Sequence, residues 1–180
     1  MDDLIKALRR GGAIPALAVL FFCSGATSLV YQNIWARQLH LVFGTSSYAI
    51  ATVLAVFMGG LALGGFWMAR HADRIHRPLL TYGIIEIGIG LYALVFPFLV
   101  DCVEPLYLGF YRVFEPSPLV FGLFQFSILS VLLLFPTACM GATLPLLTRF
   151  VSERMGSVGQ RVGMLYGINT LGAVAGVALA

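Results

Sequence analysis

Apolar residues run unbroken for long stretches along this chain, and polar ones gather in short clusters between them. From Tyr48 to Ala69 no charged residue occurs over 22 positions. That is enough to cross a bilayer core of about 30 Å at about 1.5 Å per residue. The pattern predicts five spanning helices, over about 13–31, 48–69, 79–100, 119–150 and 162–180. Between the first two, YQNIWARQLHLVFG sets Asn33, Arg37 and His40 at helical spacing against Ile34, Trp35, Leu39 and Phe43. This predicts a short amphipathic helix at the interface, or one tucked against the bundle. Asp101, Glu104, Arg112 and Glu115, with Pro105, Pro116 and Pro118, predict a loop after the third span. The fourth run exceeds one straight crossing, and Pro136 and Pro145 inside it predict a kink or tilt. The expected fold is an all-α integral membrane bundle of five transmembrane helices plus one interfacial helix. It forms a single domain over 1–180, and its flush apolar end reads as the front part of a longer protein.

Glycines refine this picture. Gly60 and Gly64 stand four apart, with Gly59 and Gly65 beside them, so the second span can approach a neighbour closely. Gly159, Gly163 and Gly167, then Gly172 and Gly176, give the fifth span a nearly bare face for packing. In the first span, Cys23 to Ser28 is a run of small, weakly polar residues, which predicts helix contact with hydroxyls bonded back to the backbone.

Charge sets the expected orientation. Lys6, Arg9, Arg10, Arg70, Arg74, Arg77, Arg149, Arg154 and Arg161 are nine of the 11 basic residues and fall on one side of the predicted topology. Arg37 and Arg112 fall on the other. The positive-inside rule then puts the N-terminus in the cytoplasm, with a bacterial inner membrane as the expected location. Hydrophobic residues at 59%, charged residues at 11% and a mean hydropathy of +0.93 exclude soluble and disordered classes. No basic patch interleaved with exposed aromatics suggests nucleic acid. Cys23, Cys102 and Cys139 are too scattered for a disulfide framework or zinc site, and no metal or cofactor is expected. Cys23 and Cys139 read as small buried thiols.

One acid lies deep in an apolar run: Glu86, about 10 Å from the start of the third span at the helical rise. An ionised, unpaired acid in hydrocarbon costs several kcal/mol, so Glu86 must protonate, pair or face water. Gly65, Thr143 and Asn169 count to the same depth on other spans, which predicts a polar or small layer around it. Glu86 either glues helices through Asn169 or a backbone carbonyl, or forms a substrate or proton site. Arg37 is either a phosphate-seeking anchor or a charge facing a cavity. The sequence contains no phosphate loop, no dinucleotide fingerprint and no nucleophile elbow.

Five ordered blocks carry a resemblance: FFCSGATSLVYQNIWARQL at 21–39, VFGTSSYAIATVLAVFMGGLALGG at 42–65, DRIHRPLLTYGIIEIGIGLYAL at 73–94, PTACMGATLPLL at 136–147 and LYGINTLGAVAG at 165–176. Together they resemble the membrane domain of the membrane-bound spermidine synthase-like family. The resemblance implies a bundle like an incomplete six-helix half of a major facilitator transporter. It also implies a following soluble domain that moves an aminopropyl group from decarboxylated S-adenosylmethionine to putrescine. That domain lies outside these 180 residues, so no catalytic residue is assigned within them. The matching polar positions are Gln32, Arg37, Asp73, Arg74, Glu86 and Asn169. The loop ARHADRIHRP also partly resembles the facilitator motif between helices two and three. Asp73, Arg74 and Arg77 match, whereas His76 replaces a glycine and Pro78 a basic residue. The resemblance makes the chain the membrane domain that anchors or serves such a transferase. Two other readings stay open: a transporter-like module for a small solute, cationic ones included, with Glu86, Asn169, Arg37 and Gln32 at its site, and a structural subunit docking other membrane chains by its glycine faces.

Overall fold

The computed structural model describes residues 13–155 and 158–180. Lys6, Arg9 and Arg10 of the charge count lie outside them. Among the described residues the chain is all-α. The elements are α1 (Ala13–Phe43), α2 (Ser47–His71), a 3-10 turn (Ala72–Arg74), α3 (Pro78–Phe114), α4 (Pro118–Met155) and α5 (Val158–Leu179). Five helices among the described residues are long and apolar enough to cross a membrane, which fits an all-α membrane bundle.

Two expected boundaries move. The amphipathic segment at 31–43 is not a separate interfacial helix but the last three turns of α1. Its buried stripe, Trp35, Leu39 and Phe43, packs inward, which is the second of the two expected arrangements, tucked against the bundle rather than lying on lipid. The expected loop at 101–114 is helical as well: α3 runs 37 residues with Pro97 and Pro105 inside it. At about 55 Å it is far longer than a bilayer core, so it tilts or projects. Only Glu115 to Ser117 separate it from α4.

The helix ends follow local chemistry. Gly44, at φ +83°, ends α1 in the left-handed region, its N–H donating to the His40 carbonyl at 2.9 Å. Ser46 caps α2, its hydroxyl accepting from the Ala49 N–H at 3.2 Å. Pro78 opens α3, where a missing N–H costs nothing. Glu115 closes α3 at φ 40°, an uncommon place for a residue with a Cβ.

The chain divides into two compact units: one joins the described residues up to Asn33 with those from Val151, and the other is Ile34–Phe150. In the first, α1 and α5 pack backbone against backbone. Gly172 meets the Phe22 carbonyl, Gly176 the Ala26 carbonyl, and Gly25 the Asn169 carbonyl. Phe22 to Ala26 rises with Gly172 to Gly176, as in parallel helices. The small run at 23–28 is thus a helix contact, and Thr27 donates back to the Cys23 and Ser24 carbonyls at 3.0 and 3.1 Å. Cys23 itself, expected to be buried, is exposed; Cys139 is half-buried.

In the larger unit, Gly60 and Gly64 lie against Thr137 and Ala138, while Gly141 meets the Leu61 carbonyl, so α2 and α4 also run parallel. Trp35 stacks on Phe96 at 4.7 Å and Phe43 meets Tyr107 edge-on at 4.5 Å, which makes α1 and α3 parallel. Tyr107 stacks on Phe121 at 4.8 Å and Tyr92 reaches Leu132, so α3 and α4 are antiparallel. Within the larger unit these registers are those of a chain that reverses direction at every turn.

Candidate functional site

Buried positions on α3 define an inward seam. Tyr82, Ile89, Phe96, Val100 and Tyr107 are buried, and Ala93 and Val103, at the intervening three- or four-residue steps, are half-buried. Glu86 occupies the remaining step, between Tyr82 and Ile89, and is half-buried too. Ile84 and Ile87 on either side face outward. A carboxyl on this stripe is directed into the bundle rather than at lipid, and Glu86 takes part in a polar or electrostatic interaction there.

The small-residue layer expected around Glu86 is distributed differently. The glycine notch on α2 is filled by α4, since a Cβ on Gly60 or Gly64 would collide with Thr137 or Ala138. Gly65 also faces α4, where its Cβ would stand 3.4 Å from the Gly141 carbonyl. Thr143 is buried, but its hydroxyl donates to the Met140 carbonyl of its own helix at 2.7 Å. Asn169 is half-buried and stands against Gly25, in the unit that α1 and α5 form. On α5, Gly172 and Gly176 are buried contacts, whereas a Cβ on Gly163 or Gly167 would meet nothing within 4 Å among the described residues. Among the described residues the bare face packs along its second half.

Gln32 is half-buried, and Arg37 is exposed, as an outward anchor would be. Asp73, Arg74 and Arg77 are all exposed, the first two in the 3-10 turn and the third just before Pro78. Beside them Arg70 lies 3.7 Å over the Phe66 ring. His71 stacks on Trp67 at 4.6 Å, and its Nδ1–H donates to the Trp67 carbonyl at 2.8 Å. Phe66 and Trp67 are outward-facing, so this end of α2 carries the aromatic and cationic groups that favour a membrane interface.

Two features escape a reading of the sequence. Pro136 has no N–H to donate to the Leu132 carbonyl four residues back. The Tyr92 hydroxyl donates to that carbonyl instead, at 2.6 Å, so α3 supplies the donor that α4 lacks. The signal for it is the in-helix proline, though spacing does not name the donor. Second, Gln125 on α4 is only 8% exposed and its Nε2 has no hydrogen-bond partner among the described residues; the buried Oε1 of Gln38 and Nε2 of His40 on α1 have none among them either. An unsatisfied buried polar group costs about 1–3 kcal/mol. The one signal for Gln125 in the sequence is a lone amide in an apolar run, weak by itself.

Among the described residues no three His, Cys, Asp or Glu side chains are grouped to hold a metal ion. Compared with protein-family models, curated proteins and solved structures, the chain matches none.

Proposed function

We propose that this chain is the membrane domain of a spermidine synthase-like protein, anchoring or serving an aminopropyltransferase-like domain on the cytoplasmic side. One observation carries the reading: the blocks behind the resemblance pair with each other. The block at 21–39 supplies Gly25 and Ala26 against Asn169 and Gly176 of the block at 165–176. The block at 42–65 supplies Gly60 and Gly64 against Thr137 and Ala138 of the block at 136–147. The block at 73–94 holds Glu86 and Tyr92. Residues chosen for close backbone contact suit a stiff platform that holds a second domain at the membrane. The basic count supports a cytoplasmic N-terminus; the proposed location is a bacterial inner membrane, with the transferase-like domain or other membrane subunits as proposed partners.

The test uses the whole gene product, through and beyond Ala180. Its membranes should convert labelled putrescine and decarboxylated S-adenosylmethionine to labelled spermidine. A coding sequence that lacks a strand, glycine-rich turn and helix pattern after residue 180, together with no product, refutes the proposal.

A second reading rests on Glu86: an acid on the inward seam is also what a transporter-like module for a small, cationic solute would use. Solute uptake that survives Glu86→Gln unchanged rules it out.

A further inference from the structure

The exposed surface of α2 changes chemistry within one turn. Leu63, Phe66 and Trp67 are exposed and apolar, as lipid-facing side chains are. From Arg70 to Arg77 the exposed residues are Arg70, Asp73, Arg74, His76 and Arg77. The edge of the hydrocarbon therefore falls between Trp67 and Arg70, which sets these cations at the height of lipid phosphates. The rings below hold the first of them: the Arg70 guanidinium lies 3.7 Å over Phe66, and His71 stacks on Trp67 at 4.6 Å. A guanidinium stacked by its face keeps the N–H groups along its edge for an oxygen. The 3-10 turn, closed by the Ile75 N–H on the Ala72 carbonyl at 3.1 Å, keeps Arg74 one turn beyond Arg70. Arg77 follows as the N-cap of α3 and makes no side-chain capping bond, so the positive end of that helix adds to the patch. Asp73 is the one acid from Phe66 to Pro78, against three arginines, which leaves the patch at +2 with its histidines neutral.

We propose that Arg70, Arg74 and Arg77, set on Phe66 and Trp67, bind the headgroup of an anionic phospholipid in the leaflet that this turn faces. Charge complementarity names the occupant. A zwitterionic headgroup brings its own ammonium and leaves the patch uncompensated, whereas an anionic one supplies the missing negative charge. A soluble phosphate would meet the arginines but not the two rings, which lie on the acyl-chain side of them. The site uses neither Glu86 nor a transferase domain, so it stands independently of the proposed function.

The full chain in lipid nanodiscs carries its own reporter. Of its two tryptophans, Trp35 is 2% exposed and Trp67 59%, so bromine on lipid acyl chains quenches Trp67 in preference. Mixtures of phosphatidylglycerol and phosphatidylcholine, with one or the other brominated, give the relative binding constant beside Trp67. The patch predicts a preference for phosphatidylglycerol of about twentyfold, at about fivefold per net charge. Arg70→Gln and Arg74→Gln should each lower it about fivefold, Asp73→Asn should raise it about as much, and Arg70→Lys should keep most of it. High salt should bring it toward unity in the unaltered chain, which tests the site without a substitution. Millimolar inorganic phosphate at constant ionic strength should leave it unchanged. Equal quenching by the two lipids, a preference that Asp73→Asn does not raise or salt does not lower, or displacement by inorganic phosphate would overturn the proposal.

Discussion

Tyr92 and Pro136 offer the sharpest test of how α3 and α4 are joined. Removing the hydroxyl with Tyr92→Phe keeps the ring, which touches Trp35 at 5.9 Å and Phe96 at 6.1 Å, so packing is preserved. What goes is a 2.6 Å bond to a carbonyl that its own helix does not serve. A net hydrogen bond contributes about 1 kcal/mol, and leaving a buried acceptor unpaired raises the loss to about 1–3 kcal/mol. Bonds between membrane helices average only about 0.6 kcal/mol, because the unfolded chain in lipid finds other partners. An expected loss of about 1.5 kcal/mol lies between these. Pro136→Ala restores a backbone N–H that can bond the Leu132 carbonyl, so in that background Tyr92→Phe should cost about 0.5 kcal/mol or less. Pro136 is wholly buried, and its truncation carries a packing loss of its own, so only the double-mutant cycle isolates the term. Reversible unfolding of all four proteins in mixed micelles, titrated with denaturing detergent, gives the coupling directly. Equal costs of Tyr92→Phe in both backgrounds, within about 0.3 kcal/mol, would refute the account.

Three further outcomes follow from the same structure. Gly64→Leu should force α2 from α4 and cost about 3 kcal/mol or more in the same titration, since its Cβ would meet Ala138 backbone rather than a movable side chain. Gly172→Leu should be similarly harmful in the α1–α5 contact, while Gly163→Leu changes stability by less than about 0.5 kcal/mol; equal effects would show that the glycine face packs along its whole length. Glu115→Gly should stabilise the protein by about 1 kcal/mol, because glycine takes the left-handed position at the end of α3 without a Cβ penalty, and an unchanged midpoint would count against that conformation.

The spans were legible because apolar run length is a local property and a bilayer demands it. The extension of α3 was not: Pro105, Asp101 and Glu104 carry the composition of a loop. The helix persists there because Tyr107 is buried against Phe43 and Phe121, contacts no local pattern reveals. Likewise Trp35, Leu39 and Phe43 form the stripe of an interfacial helix, and only the partner on α3 shows that it faces protein. Glycine spacing identified a face without identifying its neighbour, so Gly60 and Gly172 found close contacts while Gly163, at the same spacing, found none among the described residues. Glu86 stood out by its depth and charge, but the groups expected at its level are engaged elsewhere, Thr143 within α4 and Gly65 against Gly141.

The contact between α2 and α4 has a mechanical consequence. Where Gly64 and Gly141 meet opposing backbone, there are no side-chain rotamers to exchange, so the surface cannot yield in small steps. A slip of one residue would bring Leu61 or Leu63 to a place shaped for a hydrogen atom. The pair is a single lever: any rearrangement of the larger unit must carry α2 and α4 together, with the bending left to the short turns at Gly44 and Glu115.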